Sequence, residues 1–300
     1  MYVSGPPRRF QLTWFDRTGK DISRLGTPQN ERHVAFSPDE RTVAKVRVNE
    51  VWLHDIGRDV DTRFATQAFA PVWSPDGSRL ALALENDLYL HDIGRGLSAP
   101  LLRNRNQKRP SDWSAEGGML LYTEVDPKTR ADIWILRDPA GKQRNDTPVP
   151  FLRTEFSESQ ARISKDGRWV AYTSDESGVS EVYVRPFPSG GGKWRISNGG
   201  GVEPSWRHDG RELFYLETAG PRKRVIAVPV ATGPGQRFEP GAAKVLFEFP
   251  VITQFVQTNQ SVYSPTKDGQ RFLVNMQVSE NTSTLNVITN WQQLLSATSP

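Results

Sequence analysis

The residues best suited to acid–base or metal chemistry in this sequence are its four histidines, His33, His54, His91 and His208. An imidazole can ligate a metal ion or transfer a proton near neutral pH. His54 and His91 stand in the same string, Leu-His-Asp-Ile-Gly, so repetition explains them better than metal binding does. No pair of histidines has the close spacing of a helical zinc site. The pattern predicts neither a metal site nor a cofactor.

Paired carboxylates are the next candidates, namely Asp175 with Glu176 and Glu155 with Glu158. Their spacing does not match an EF-hand loop, and neighbours in sequence do not give the separation across a cleft that glycoside hydrolysis needs. We interpret them as solvated loop acids. The sequence has no Gly-x-Ser-x-Gly elbow and no cysteine, so it offers neither of the usual activated nucleophiles. These observations predict a protein that is not an enzyme.

Composition indicates a soluble all-β protein. The chain has 300 residues, 36% of them hydrophobic, and nine tryptophans, which is ample material for a core. Its 24 glycines and 22 prolines are spread along the sequence, as is typical of residues that form turns, which favours many short strands. No apolar stretch is long enough to span a membrane, and the N-terminus shows no signal peptide. We expect a monomer with no membrane segment.

Nucleic-acid binding is disfavoured. The formal net charge is only +4, and no aromatic residues are interleaved with the densest basic cluster, which consists of Arg103, Arg105, Lys108 and Arg109. We interpret that cluster as a solvated loop.

A sixfold repeat decides the fold class. Each copy has a short strand, a turn of the type Ser-Pro-Asp-Gly, and an apolar run, and the copies occupy residues 34–46, 71–84, 111–123, 161–173, 204–216 and 263–275. The acidic turn residues are separated by 37, 40, 50, 43 and 59 positions, close to the length of one propeller blade. Most copies continue with a third strand and an edge-like fourth. The repeat predicts a six-bladed β-propeller of four-stranded antiparallel blades that fills residues 1–300 as one domain.

The acidic residue of each turn is predicted to be structural. An aspartate can cap such a turn with its side chain, and the following glycine can adopt the positive φ of a tight hairpin. Six blades carry this residue at equivalent positions far from one another, which argues against catalysis. The six residues are Asp39, Asp76, Glu116, Asp166, Asp209 and Asp268.

The two ends of the chain are expected to close the ring. Residues 10–26 read as two outer strands of a blade whose inner strands come from the C-terminal residues 263–275. Such pairing leaves no unpacked blade and no free edge strand. Residues 1–4 and 285–291 could add strands of their own, so an incomplete seventh blade is an open alternative.

The repeat also supports a family resemblance. The string Trp-Ser-Pro-Asp-Gly-Ser-Arg-Leu-Ala at 73–81, followed by Asp-Leu-Tyr at 87–89, resembles the WD40-like (PD40) repeat of bacterial TolB-type propellers. Longer strings at 112–114, 122–124, 151–156, 181–188 and 269–275 resemble the propeller that lies C-terminal to the kinase and membrane segments of bacterial receptor-type serine/threonine kinases. The resemblance implies an extracytoplasmic, periplasmic sensor in a signalling system. Kinase motifs are absent from this sequence, so kinase activity is not implied.

The predicted ligand site is the channel mouth, where the loops entering the innermost strands converge. The blades differ there, and repetition alone would not produce the polar residues found, which are Arg32, His33, Arg109, Asp112, Gln160, Arg162 and Glu203. We expect them to bind a peptide, a protein segment or a small polar ligand.

Three alternatives stay open at this point. The first is a propeller-type hydrolase or lyase with its site at the channel mouth. The second is the detached propeller of a prolyl-oligopeptidase-like peptidase. The third is an assembly scaffold that binds partners around its rim. Fold alone does not choose among them.

Overall fold

The computed structural model describes residues 9–141, 145–220, 222–233, 237–250 and 261–278, and within them every regular element is a β-strand. The chain starts with β1 (Arg9–Asp16) and β2 (Asp21–Gln29). Blade 1 consists of β3 (Glu31–Phe36), β4 (Thr42–Arg47), β5 (Glu50–Asp55) and β6 (Val60–Thr66). Blade 2 consists of β7 (Ala68–Trp73), β8 (Arg79–Leu84), β9 (Asp87–Asp92) and β10 (Ser98–Leu102).

The next three blades follow in the same order. Blade 3 has β11 (Gln107–Trp113), β12 (Met119–Asp126), β13 (Arg130–Arg137) and β14 (Asn145–Leu152). Blade 4 has β15 (Glu158–Ile163), β16 (Trp169–Ser174), β17 (Glu181–Pro186) and β18 (Trp194–Arg195). Blade 5 has β19 (Gly201–Trp206), β20 (Glu212–Glu217), β21 (Arg222–Gly233), β22 (Arg237–Pro240) and β23 (Lys244–Pro250).

Blade 6 closes the ring with strands from both ends of the chain. Its inner strands are β24 (Tyr263–Pro265) and β25 (Arg271–Val278), and the sheet order is β2-β1-β25-β24. All eight residues of β1 pair with β25 in antiparallel register. This confirms the predicted closure and the six-bladed fold. The segments 1–4 and 285–291, considered above for a seventh blade, lie outside the described residues.

One blade departs from the predicted four strands. The 12-residue strand β21 pairs with β23 through its first half and with β22 through its second half, which gives blade 5 five strands. Because β21 is twice as long as most of its counterparts, one edge strand cannot cover it.

The core lies between the blades. Six clusters of buried apolar residues each combine side chains of two neighbouring blades, so every sheet is covered on both faces. The second strand of each blade is therefore buried at four or more consecutive positions instead of at alternating ones; β16, for example, is buried at all six. This is why the apolar runs after each turn are such strong signals in the sequence.

Candidate functional site

A central channel lies between the innermost strands of the ring. The six innermost strands, β3, β7, β11, β15, β19 and β24, surround a cavity of about 480 Å³ to which every blade contributes. We call the end where these strands begin the loop end, and the end where they turn into the second strand the turn end. The predicted mouth residues belong to the inner strands themselves.

Four inner strands carry a β-bulge at their third residue. His33, Ala70, Gln160 and Glu203 have φ values of 61°, 49°, 57° and 54°, and the pairing register with the second strand shifts at each of them. A non-glycine residue in this left-handed conformation costs roughly 1 kcal/mol or more. A bulge re-aims backbone and side-chain groups out of the ladder. At His33, Gln160 and Glu203 the side chain of the bulge residue contacts a neighbouring blade.

His33 joins blade 1 to both of its neighbours. The backbone N–H of Ser261, just before β24, donates to Nδ1 of His33 at 3.2 Å. The ring proton therefore lies on Nε2, which is 3.2 Å from the carbonyl oxygen of Pro71 in blade 2 and donates to it. The ring is buried, at 2% exposure. The neutral His33 ring thus makes two hydrogen bonds, one to each neighbouring blade.

Three carboxyl and amide side chains join blades 3 to 6 in the same manner. Asp112 accepts a hydrogen bond from the Ile163 N–H at 2.7 Å, and Gln160 accepts one from the Glu203 N–H at 3.0 Å. Glu203 in turn accepts one from the Val262 N–H at 2.8 Å. Each of these bonds crosses one blade boundary.

Arg109 covers the boundary between blades 2 and 3. Its guanidinium donates to the carbonyl oxygen of Glu85 at 3.2 Å and lies 5.2 Å from the ring centre of Phe69, both in blade 2. We refer to His33, Arg109, Asp112, Gln160 and Glu203 together as the inter-blade belt. These five of the seven predicted mouth residues each span a blade boundary. Their hydrogen-bond partners across the boundaries are backbone N–H and carbonyl groups.

The remaining two predicted residues are Arg32 and Arg162. Arg32 is half-buried on β3, where it pairs with Val46 of β4. Arg162 is half-buried on β15 and lines the cavity, as do His33 and Asp112 of the belt. Of the seven residues, these three are the ones that the structure brings together on the channel wall.

Burial shifts the pKa of two acids that feel the charge of Arg162, namely Asp112, which lines the cavity, and Glu203, which does not. Burial raises the pKa of Asp112, while the charge of Arg162 and the Ile163 amide act in the opposite direction. Burial also raises the pKa of Glu203 to about 7, again opposed by the Val262 amide and the Arg162 charge. Among the described residues, no carboxylate forms an ion pair with the Arg162 guanidinium. Lys165, Arg207 and Lys267 also line the cavity, so its cationic side chains outnumber the acidic Glu40 and Asp112.

The six turn acids stand where the inner strands end. In four of them the carboxylate accepts a 2.6 Å hydrogen bond from the hydroxyl two residues earlier and a longer one from the backbone N–H two residues later; these are Asp39, Asp76, Asp166 and Asp268. Asp209 caps the Arg211 N–H at 3.0 Å. No hydrogen bond to the Glu116 side chain is found in the part of the chain that the structure describes.

Two residues interpreted as solvated from the sequence are buried instead. Lys108 is fully buried, because its ammonium donates to the carbonyl oxygens of Asn86, Asn104 and Asn106 at 3.2, 3.2 and 2.6 Å. Glu158 is 2% exposed, because it begins β15 at the blade 3–4 interface and accepts a hydrogen bond from the Thr154 hydroxyl. In the basic cluster Lys108, and among the predicted loop acids Glu158, are therefore buried residues that form hydrogen bonds within the fold.

Sequence reasoning also missed a buried charge cluster in blade 1. The Lys45 ammonium lies 3.0 Å from the Glu31 carboxylate and 2.8 Å from that of Asp61, and Nδ1 of His54 is 2.8 Å from the same Asp61 carboxylate. Burial alone would raise the pKa of Asp61, but hydrogen bonds from His54 and Lys45 hold it well below its usual value. Lys45 stands inside an apolar run of the sequence, which is the one signal that could have indicated a buried partner.

Two negative findings apply to the described residues only. They contain no group of three or more histidine, aspartate or glutamate side chains arranged to hold a metal ion. Nor do they contain a helix with the length and hydropathy needed to cross a lipid bilayer.

Comparisons with known proteins show similarity at the level of fold. The sequence matches no protein-family profile and no curated protein significantly. A TolB-type protein of Agrobacterium tumefaciens superposes with a TM-score of 0.73 at 18% identity, over 91% of this chain and 100% of that one. TolB of Acinetobacter baumannii gives 0.56 at 16% identity, over 84% of this chain and 65% of that one.

An enzyme is also among the similar folds. An oligogalacturonate lyase of Vibrio parahaemolyticus gives a TM-score of 0.55 at 10% identity, over 87% of this chain and 76% of that one. At such identities the likeness shows the β-propeller fold and does not assign an activity.

Proposed function

We propose that this chain is a non-catalytic binding propeller whose central channel accepts a peptide, a protein segment or a small polar ligand. The observation that carries the proposal is the cavity of about 480 Å³ lined by all six blades, with the Arg162 guanidinium on its wall. A cation held in a partly desolvated channel is a strong anchor for a polar ligand. The similar folds include TolB-type propellers, which agrees with a binding role.

A thermal-shift screen of the full chain tests the proposal, with peptides, cell-wall fragments, sugars and divalent cations as probes. A ligand present at a hundred times its Kd stabilises the folded state by about 2.7 kcal/mol and raises the Tm by roughly 4 °C. Arg162→Ala should reduce that shift. The control is Arg63→Ala, which removes an exposed arginine of strand β6.

Each class of result has a defined meaning. A peptide, sugar or cell-wall fragment that stabilises the wild type and Arg63→Ala more than Arg162→Ala supports channel binding. A shift caused by divalent cations alone contradicts the proposal and favours a metal-dependent propeller enzyme. The absence of any shift contradicts channel binding and favours a scaffold that binds partners on its rim.

We further propose that the propeller is the extracytoplasmic sensor of a bacterial signalling receptor. The support is the resemblance of the strings at 151–156 and 181–188 to propellers that follow receptor-type serine/threonine kinases. Sequencing the genomic region upstream of the Met1 codon tests this. A reading frame that encodes a kinase and a membrane segment in continuity with Met1 supports the sensor role, and an unrelated upstream frame contradicts it.

A further inference from the structure

The turn end of the channel is chemically divided into two halves. In each blade the residue just before the turn acid lines the cavity. In blades 1 to 3 this residue is Pro38, Pro75 or Ala115, and in blades 4 to 6 it is Lys165, His208 or Lys267. Three consecutive blades therefore present small apolar groups, and the other three present basic groups. We call the second set, Lys165, His208 and Lys267, the basic arc.

The basic arc is exposed and its lysines are not neutralised. All three side chains are solvent-exposed. Within the described part of the chain, no carboxylate lies at ion-pair distance from the ammonium group of Lys165 or Lys267. Partial burial and then the charges of these two lysines lower the pKa of His208, while the carboxylates of Glu40 and Asp209 act in the opposite direction. The three groups thus form one electrostatic patch.

Blades 5 and 6 are held together at this patch. The His208 backbone N–H donates to the carbonyl oxygen of Lys267 at 3.1 Å, so the two turns lie side by side. On the far side of Lys267, its backbone N–H donates to the Glu40 carboxylate of blade 1 at 2.5 Å. Glu40 therefore marks the boundary between the basic arc and the apolar half.

The turn acids do not distinguish the two halves of the channel. They occur in all six blades, so they contribute equally to both halves and none of them lines the cavity. Asp166 is engaged by the Ser164 hydroxyl and the Arg168 side chain, and Asp268 by the Thr266 hydroxyl. The difference between the two halves is the basic residues themselves.

Partly exposed aromatic groups line both halves of the channel, with Phe36 and Trp73 in blades 1 and 2 and Trp206 in blade 5. Phe36 and Trp73 end the inner strands of blades 1 and 2 and line the cavity together with Pro38 and Pro75. The Trp73 indole N–H donates to the carbonyl oxygen of Ala35 at 3.1 Å, which fixes the orientation of its ring. Blades 1 to 3 thus offer apolar surface for packing, and among the described residues they contribute no lysine or arginine to the cavity lining.

From this division we propose that the turn end of the channel binds an acidic peptide segment, with its carboxylates on the basic arc and its apolar side chains on Phe36, Trp73 and the two prolines. This deepens the proposed channel binding and rests on it. A small free carboxylate would use the arc alone, whereas a peptide uses both halves. The ligand is therefore expected to combine aspartate or glutamate with apolar residues.

Selection from a phage-displayed library of random heptapeptides on the immobilised full chain tests the proposal. Selected peptides should be enriched in aspartate and glutamate next to apolar residues, and their synthetic versions should bind less tightly as sodium chloride is raised. The double variant Lys165→Ser/Lys267→Ser should weaken binding by about tenfold. The matched control, Lys20→Ser/Lys128→Ser, removes the same charge from exposed lysines outside the cavity and should leave binding unchanged.

The contrary outcomes separate the two proposals. If selected peptides bind in the channel but lack acidic residues, or still bind Lys165→Ser/Lys267→Ser with wild-type affinity, the acidic-peptide proposal is wrong and channel binding stands. If succinate binds as tightly as the peptides and through the same lysines, the site is one for small carboxylates and the peptide assignment is wrong. If the wild type selects no peptide at all, binding of peptides by the channel fails as well.

Discussion

The buried carboxyl group of Glu158 is expected to make the free energy of unfolding depend on pH. Its side chain is 2% exposed, and one carboxylate oxygen accepts a hydrogen bond from the Thr154 hydroxyl while the other has no hydrogen-bond partner among the described residues. Burial, together with the carboxylates of Asp132, Glu176 and Asp175, raises the pKa of Glu158 from 4.5 to about 7. The folded protein therefore holds a proton that the unfolded chain releases more readily.

The sign of the pH dependence follows from this difference. Between pH 4.5 and 7 the folded state binds more protons at Glu158 than the unfolded state does, so stability falls as the pH rises through this window. The rise in the Glu158 pKa corresponds to about 3 kcal/mol between the two limits. Glu203, whose pKa is also raised to about 7 by burial, contributes with the same sign.

Replacing Glu158 by glutamine removes the titration and keeps the shape of the side chain. Urea unfolding followed by tryptophan fluorescence should show Glu158→Gln to be more stable relative to the wild type at pH 8 than at pH 5, by about 2 kcal/mol. Glu155→Gln is the control, because Glu155 is exposed three residues earlier in the chain. Parallel stability profiles for the wild type and Glu158→Gln would refute the assignment of a protonated, buried Glu158.

Two further predictions concern the belt and the turns. Gln160→Ala should lower the free energy of unfolding by about 1 to 3 kcal/mol, because the Glu203 N–H and the Thr173 hydroxyl both lose their acceptor, and urea unfolding measures this; an unchanged midpoint would show that the belt contact contributes nothing. In the turns, Asp76→Ala should lower the free energy of unfolding by about 1 to 2 kcal/mol, because the Asp76 carboxylate accepts hydrogen bonds from one backbone N–H and two hydroxyl groups. Glu116→Asp should leave the free energy of unfolding unchanged or raise it by a few tenths of a kcal/mol, because the shorter aspartate can form the hydrogen bonds to the turn that Glu116 lacks. Equal effects of the two substitutions on the Tm would contradict this difference between the turns.

The fold was predictable because its two strongest determinants are local and repeated. The turn motif recurs at blade length, and the apolar run after it is buried on both faces, so periodicity and composition agree. Ring closure was predictable for a related reason, since residues 10–26 form two strands without an inner partner of their own. The fifth strand of blade 5 was not predictable, because nothing in the local pattern of β21 distinguishes one edge partner from two.

The candidate site was harder to predict, because the inner strands are bulged. A bulge in the left-handed region is usually marked by glycine, but His33, Gln160 and Glu203 adopt it without one. Proline inside a strand is the alternative signal, since it cannot donate to the ladder, and Pro71 and Pro204 each follow a bulge residue. Reading Pro204 as a bulge marker would have indicated that the preceding Glu203 side chain contacts the next blade.

The role of a residue that differs from its equivalents in the other blades is therefore best judged from the groups that it contacts. A polar residue that differs between blades can serve to bind a ligand, or it can serve to hold two neighbouring blades together. Asp112 and Gln160 hold blades together, because each accepts a hydrogen bond from the next blade. Lys165 and Lys267 differ from the repeat in the way expected of ligand-binding residues. They replace proline within the motif itself, face the channel, and have no carboxylate within ion-pair distance in the described residues. A charge without a structural partner, on a wall where the repeat provides proline, is better evidence for a ligand than polarity at a mouth.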